Sequence, residues 1–263
     1  MQHSEFPRVV DAQWLAEHLQ DEDVIVGDVR GPNAHMRGHI PGSRPLVLGS
    51  PPPGADDATV AELAKEVALR LRRHGITGQE KLVLVDRGDG VGAMPAAQLA
   101  ELAGHPRVAV LLGGLADWPG ELAEGPVELE PVREASLEPD PSAFPTRQEL
   151  ASRLDDPSLT LLDVRRAEEY TGKAGSACDP RQGHSPGARR LQVDELFGQD
   201  GTPKPAEEIR ALVGEANEIV AYCHSGSRSA LATLALRSAG YDARNYAGSW
   251  HEWSRHPELP LER

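Results

Sequence analysis

Short words recur in the same order in the two halves of this chain. Asp28-Val29-Arg30 returns 135 residues later as Asp163-Val164-Arg165, and Gly114-Leu115-Ala116-Asp117-Trp118 returns at the same offset as Ser249-Trp250-His251-Glu252-Trp253. Between them, GHIPGS at 38–43 returns as GHSPGA at 183–188, offset by 145. A repeat of that length marks two domains of one fold rather than a solenoid of short units. The full length of 263 residues suits two domains of ordinary size.

Each half reads as alternating strands and helices. VIVGDV (24–29) and LTLLDV (159–164) are short apolar runs ending in polar residues, as buried parallel strands should be. A helix with a polar N-cap precedes each, Asp11 before AQWLAEHL and Thr146 before RQELASRL. KLVLVD (81–86) and EIVAYC (218–223) are the next strands. An Ala/Leu-rich helix follows each and ends at a glycine placed as a C′ residue, Gly104 or Gly240. RVAVLL (107–112) and ARNYA (243–247) supply a further strand. The pattern predicts an α/β fold, with a parallel sheet in each half flanked by helices on both faces. With aromatics at only 4%, the cores must rest on Leu, Val, Ile and Ala. The expected domains are 1–122 and 143–263. The Glu- and Pro-rich stretch 123–142, without apolar period, is the expected linker.

Charge and cysteine usage exclude several classes. Asp plus Glu total 41 against 27 Lys plus Arg, a net charge of −14, which argues against a broad basic face for nucleic acid. Two cysteines exclude a disulfide scaffold and a four-Cys zinc site, and fit a reducing compartment. The opening MQHSEFPRVV has no apolar stretch of signal-peptide length. The longest apolar candidate, VAVLLGGLA at 108–116, is about half of what a membrane helix needs. A cytoplasmic protein with no membrane partner, working as a monomer, is the expectation.

The two halves differ where chemistry belongs. Aligning VLV-DRGDGVGA with VAY-CHSGSRSA sets Asp86 against Cys223. A parallel strand delivers its last residue to the carboxyl edge of the sheet, where ligands bind in open α/β folds. The loop then enters a helix N-terminus, whose free N–H groups and dipole favour negative charge. A thiol placed there is favoured as its nucleophilic thiolate. Gly226 with the small Ser225, Ser227 and Ser229 lets several amides face one cradle, and Arg228 adds a positive charge near the mouth. The competing reading is an inert buried cysteine at a strand end, but such a cysteine needs no polar, glycine-containing loop ending in Arg-Ser.

With DVR at 28–30 and 163–165, GHIPG at 38–42, GHSPG at 183–187, CHSGSRS at 223–229 and GSW at 248–250, the chain resembles the tandem-domain rhodaneses, the thiosulfate and 3-mercaptopyruvate sulfurtransferases. The resemblance spans essentially the whole chain. It implies two rhodanese-like domains, the first without the catalytic cysteine and the second carrying it. It implies that Cys223 takes a sulfane sulfur from thiosulfate or a similar donor, becomes a persulfide, and gives the sulfur to cyanide or a thiol in a second half-reaction. His224, Ser225, Gly226, Ser227 and Arg228 would line the substrate site. No metal or organic cofactor is implied, and a thioredoxin-like reductant is a candidate thiol partner. A 3-mercaptopyruvate sulfurtransferase, or a relay delivering persulfide to a protein, are the alternatives. A phosphatase-type reading is disfavoured, because only His224, Ser225, Gly226 and Ser227 separate Cys223 from Arg228 and phosphatases of this resemblance carry one residue more.

Some features depart from the family pattern. The loop matches neither the thiosulfate type (C-R-K-G-V-T) nor the mercaptopyruvate type (C-G-S-G-V-T). Glu169 stands near where the family places a substrate-binding arginine, leaving Arg166 and Arg181 as candidates for the missing charge. The stretch TGKAGSACDPRQ before GHSPG is an insertion. It holds Cys178, either a disulfide partner for Cys223 or a plain loop cysteine. His35 and His39 have i,i+4 spacing, but Gly38, Pro41 and Gly42 argue against a metal-binding helix. The run GDGVGA at 88–93 is expected to be a degenerate copy of the cradle rather than a dinucleotide loop. Asp28, Arg30, Asp163 and Arg165 are expected to brace loops. Trp250 and Trp253 are candidates for a pocket wall or for core packing.

Overall fold

A computed structural model describes residues 6–49, 55–88, 90, 92–199 and 201–263. The first five residues of the opening segment, and positions 89 and 91 of the glycine-rich run 88–93, lie outside that set. The chain divides into two compact units, Met1–Ser50 with Ala61–Ala143, and Pro51–Val60 with Phe144–Arg263.

The first sheet is built from β1 (Val9–Val10), β2 (Val24–Asp28), β3 (Arg44–Pro45), β4 (Lys81–Val85) and β5 (Val108–Leu111). Its order is β1-β5-β4-β2-β3, and every pairing is parallel. Helices α1 (Ala12–His18), α2 (Pro32–Met36), α3 (Asp57–Arg73) and α4 (Ala93–Leu102) connect its strands. The second unit repeats the plan with α5 (Arg147–Ser152), β6 (Leu159–Asp163), α6 (Ala167–Tyr170), β7 (Arg189–Arg190), α7 (Ala206–Val213), β8 (Glu218–Tyr222), α8 (Ser227–Ser238), β9 (Ala243–Asn245) and α9 (Ser249–Trp253). Its sheet runs β7-β6-β8-β9, again all parallel. Register is shared as well. Asp28 pairs with Val85 in one sheet and Asp163 with Tyr222 in the other, so Asp86 and Cys223 leave their strands at the same point.

The helix starts follow the capping chemistry. Asp11 accepts from the Trp14 N–H at 2.7 Å, and Thr146 accepts from the Glu149 N–H at 3.2 Å. Residues 123–142 carry almost no regular structure. They are fastened to the first unit by the N–H groups of Val132, Ser136 and Asp140, which donate to the carbonyls of Arg72, Thr77 and Leu102.

Strand β8 shows how the second sheet is buried on both faces. Ile219, Ala221 and Cys223 pack with Ile209 and Val213 of α7 and Ala232 and Leu236 of α8. Val220 and Tyr222 pack on the other side with Leu150, Trp250 and Trp253. Both tryptophans are wholly buried in that core, so the reading of them as pocket wall gives way to packing.

Each DVR word forms a buried clamp. Arg165 Nε donates to Asp163 Oδ1 at 2.9 Å, and its Nη2 donates to the Gly183 carbonyl at 2.7 Å. Arg30 Nε meets Asp28 Oδ1 at 3.0 Å, and its Nη2 reaches the Gly38 carbonyl at 2.6 Å. Both arginines therefore fasten the start of a GH-x-PG loop to the end of a strand. Arg165 also lies over the Trp250 ring, 4.9 Å from its centroid. Removing one member of such a pair strands a buried charge, at a cost of about 3–5 kcal/mol. The histidines of these loops are occupied locally. His39 Nδ1 bonds the His35 carbonyl at 2.8 Å, His35 Nε2 bonds the Ser43 carbonyl at 2.9 Å, and the two rings stack 3.7 Å apart.

One buried histidine makes the first unit sensitive to acid. His105 is 2% exposed, its Nδ1 faces the Arg107 N–H at 3.3 Å, and its Nε2 has no hydrogen-bond partner among the described residues. Burial pushes its pKa down to about 4, with Glu80 opposing and Arg107 adding to the shift. As pH falls below about 6.5 the unfolded chain takes up a proton that the folded chain resists down to about 4. Stability is therefore complete above that window and is lost by about 3 kcal/mol across it. Urea unfolding at pH 7 and pH 4.5 should show this loss in the native protein and a smaller one in His105→Gln; equal losses would discard the assignment.

Candidate active site

Cys223 is the residue immediately after β8, 1% exposed, and the loop it opens runs into α8. Its thiol lies among polar groups although its flank is apolar. The Gly226 N–H donates to Sγ at 3.2 Å, and the hydroxyls of Ser229 and Ser249 lie 3.4 and 3.9 Å away. Each hydroxyl has a second choice of acceptor, the Gly226 carbonyl at 3.1 Å for Ser229 and the Tyr246 carbonyl at 2.9 Å for Ser249. A hydroxyl carries one hydrogen, so each can rotate toward sulfur when the sulfur is anionic and toward the carbonyl when it is not.

The loop's backbone is held from outside. The carbonyls of Cys223 and His224 accept from the N–H groups of Trp250, at 3.0 Å, and His251, at 2.8 Å. Asn245 Nδ2 donates to the Gly226 carbonyl at 3.1 Å. Gly226 sits at φ +91°, where a Cβ would meet the Ala247 carbonyl oxygen at 2.6 Å, so the position requires glycine twice over. Ser249 has φ +54°, the left-handed region rarely used by serine, while it is buried and accepts from the Cys223 N–H at 3.1 Å. Strain of this kind collects where neighbours dictate a side-chain position.

The equivalent loop of the first unit shows what such a cradle holds. Asp86 Oδ1 accepts from the Gly88 N–H at 2.8 Å, and Oδ2 accepts from the N–H groups of Gly92 and Ala93 at 3.1 and 3.0 Å. A carboxylate thus occupies permanently the place where the second unit offers a thiol. The expectation of a degenerate cradle at 88–93 agrees with the described part of that loop.

The residues singled out from the loop sequence divide into groups. Gly226 and Ser229 face the sulfur, and Ser225 and Ser227 are exposed. His224 turns to Asp179, with Nε2 3.1 Å from Oδ2. Arg228 forms a two-pronged pair with Glu169, Nη1 to Oε2 at 2.8 Å and Nη2 to Oε1 at 2.9 Å. That hydrogen bond outweighs burial and, with the charge of Cys223, holds Arg228 above its usual pKa. Burial favours the neutral form of Glu169, but the bond from Arg228 prevails and keeps its carboxyl below the usual range. Glu169 therefore positions the cation of this site. Arg181 is not the missing charge. Its guanidinium donates to the carbonyls of Trp253, Ser254, His256 and Leu259, stapling the C-terminal segment. Arg166 is an exposed N-cap of α6. Cys178 and Cys223 are both free thiols facing different partners, since Cys178 lies among Ser176, Asp179, His224 and His251.

Ser249 and Asn245 are contributors that spacing did not reveal. Ser249 lies within GSW, a word already quoted at 248–250, but its left-handed backbone has no signature in composition. Asn245 is the last residue of β9, where a polar residue carries little information.

The model for the rhodanese-like domain matches twice, at residues 11–121 and 146–256. The chain belongs to the rhodanese family. Among curated rhodanese relatives, a probable 3-mercaptopyruvate sulfurtransferase of Pseudomonas aeruginosa is 32% identical, covering 97% of this chain and 97% of that protein. A thiosulfate sulfurtransferase of the same organism is 30% identical over 98% of each chain. The 3-mercaptopyruvate sulfurtransferase of Escherichia coli is 28% identical over 96% of this chain and 97% of its own. The crystal structure of YnjE shares the fold with a TM-score of 0.81 at 22% identity, covering 97% of this chain and 68% of that one. The wild-type structure of EanB shares it at 0.78 and 24%, covering 97% and 69%.

Proposed function

We propose that this protein is a sulfurtransferase in which Cys223 carries the sulfur. The observation that supports this most is the thiol at the carboxyl end of β8, beneath the Gly226 N–H and two reorientable hydroxyls, in a repeat whose twin holds a carboxylate at the same place. The Cys223 thiolate attacks the outer sulfur of thiosulfate. A sulfur–sulfur bond forms to Cys223, the donor's own breaks, and sulfite leaves with the electron pair. The resulting persulfide anion extends into the space bounded by the loop, where the Gly226 N–H is already oriented and the two hydroxyls turn to stabilise it. Cyanide or a thiol then takes the terminal sulfur and returns the thiolate, so the two half-reactions alternate. Ser225, Ser227 and Arg228 border the entrance, with Arg228 oriented by Glu169 for an anionic donor. His224 lies at the side of the loop. A dithiol such as a thioredoxin-like protein suits the acceptor role. The domain boundaries proposed for this reading are 1–122 and 143–263.

The relatives divide between thiosulfate and 3-mercaptopyruvate enzymes, and the latter is the second donor reading. Two free thiols suit a reducing compartment such as the cytoplasm. No helix among the described residues is long and apolar enough to cross a membrane.

The test is intact-protein and peptide mass spectrometry after mixing with each donor. One added sulfur on the Cys223 peptide is expected from thiosulfate, removable by cyanide or a dithiol. Faster loading from 3-mercaptopyruvate would reassign the donor, and no loading from either would overturn the proposal.

A further inference from the structure

We infer that Cys178, Asp179, His224 and His251 form a site for a zinc-class divalent cation that clamps the 171–182 insertion onto the catalytic loop. The four residues come from three separate places: the insertion, the second position of the cysteine loop, and α9. Their ligand atoms all lie within 4.8 Å of one another. Cys178 Sγ is 3.7 Å from His251 Nδ1, 4.0 Å from His224 Nε2 and 3.8 Å from Asp179 Oδ1. Asp179 Oδ1 is 3.0 Å from His251 Nδ1, and Oδ2 is 3.1 Å from His224 Nε2. Ligand bonds of about 2.0–2.3 Å in a tetrahedron set neighbouring ligand atoms roughly 3.3–3.7 Å apart, so small side-chain movements bring the four onto one ion.

A catalytic triad is the other chemistry these residue types could make, and the geometry opposes it. A triad histidine faces its two partners with opposite ring nitrogens. Here each imidazole turns one nitrogen toward both the thiol and the carboxylate, Nε2 for His224 and Nδ1 for His251. Convergence of single atoms is what a cation requires. A second observation agrees. The Asp179 side chain is 1% exposed, and its Oδ2 makes no hydrogen bond of acceptable geometry among the described residues. Charges nearby are few. Arg255, 39% exposed, donates to the carbonyls of Cys178 at 2.8 Å and His251 at 2.5 Å, which hold its guanidinium beside the cluster with Asp179 Oδ1 only at 3.4 Å, and Ser176 Oγ lies 3.0 Å from Cys178 Sγ.

One thiolate, two imidazoles and one carboxylate are a donor set for zinc. Sequence spacing conceals it, because the four positions lie on three segments distant in the chain, 178–179, 224 and 251. On ion binding Cys178 loses its proton and His224, next to Cys223, becomes fixed to the insertion. Resting on the proposed sulfur transfer, the consequence is that the bound ion fixes the catalytic loop at His224, next to Cys223, and slows loading of Cys223.

The experiment titrates the full-length, metal-free protein with cobalt(II), read by its visible spectrum, and with zinc by equilibrium dialysis. One ion per chain is expected, with a thiolate-to-cobalt band that survives Cys223→Ser and disappears in Cys178→Ser. His251→Ala should weaken zinc by about a hundredfold. Stoichiometric zinc should slow persulfide formation about tenfold or more in the native chain and spare Cys178→Ser. Absence of binding, or a band that follows Cys223 instead of Cys178, overturns the site; binding without slowing overturns the clamp. The spectra do not depend on sulfur transfer, so failure of that activity would be seen separately.

Discussion

Cys223→Ala should abolish sulfur transfer from thiosulfate and from 3-mercaptopyruvate, with a fall of a thousandfold or more, on the order seen when a covalent nucleophile is removed. The loss should fall on the first half-reaction, because Cys223 Sγ is the atom that the Gly226 N–H faces at the end of β8. The fold should survive. Cys223 packs with Ile219, Ala221 and Ala232, and losing one sulfur from that cluster leaves a small cavity. Asp86→Ala is the matching control from the first repeat. It leaves the N–H groups of Gly88, Gly92 and Ala93 without their acceptor, which should lower stability by about 1–3 kcal/mol while most of the transfer rate remains. Steady-state rates and thermal unfolding of both variants decide the matter. A Cys223→Ala enzyme that still transfers sulfur, or an Asp86→Ala enzyme that does not, would reverse the roles given to the two cradles.

The architecture was legible because parallel strands buried on both faces are written as continuous apolar runs. VIVGD and LTLLD became β2 and β6 with the same register in their sheets. Asp11, Thr146, Gly104 and Gly240 marked helix ends because capping is local chemistry, decided within three or four residues. Cys223 and Gly226 were legible for the same reason, since strand, loop and helix are consecutive. The surroundings of the loop were not. Asn245 and Ser249 act through contacts with residues 19 and 26 positions earlier, and the Glu169–Arg228 pair joins residues 59 apart. The sequence showed Glu169 as a lost arginine, whereas in space it is the anchor of another one. Arg181 looked like a spare cation because a sequence does not tell which arginines spend their donors on carbonyls.

Gly226→Ala should cost the enzyme a hundredfold to a thousandfold in persulfide formation, roughly the effect of removing one donor from an anion cradle. Two causes act together. At φ +91° an alanine carries a backbone penalty of about 1–2 kcal/mol. Its Cβ would also stand 2.6 Å from the Ala247 carbonyl oxygen, and backbone on that side cannot yield easily, since it links β9 to α9. The loop must therefore shift, carrying the Gly226 N–H away from Cys223 Sγ and disturbing the carbonyl that Asn245 and Ser229 share. Gly214→Ala separates the two causes. Gly214 has φ +76° with nothing within 4 Å of an added Cβ, and it lies at the end of α7. With ψ at −160° it lies in a region essentially reserved for glycine, so it should lose at least as much backbone free energy and still keep its transfer rate. Single-turnover loading with thiosulfate, set beside unfolding midpoints, distinguishes the outcomes. If both variants lose rate in proportion to their loss of stability, the effect belongs to the domain as a whole; if only Gly226→Ala loses rate while remaining folded, the donor aimed at sulfur is what was removed.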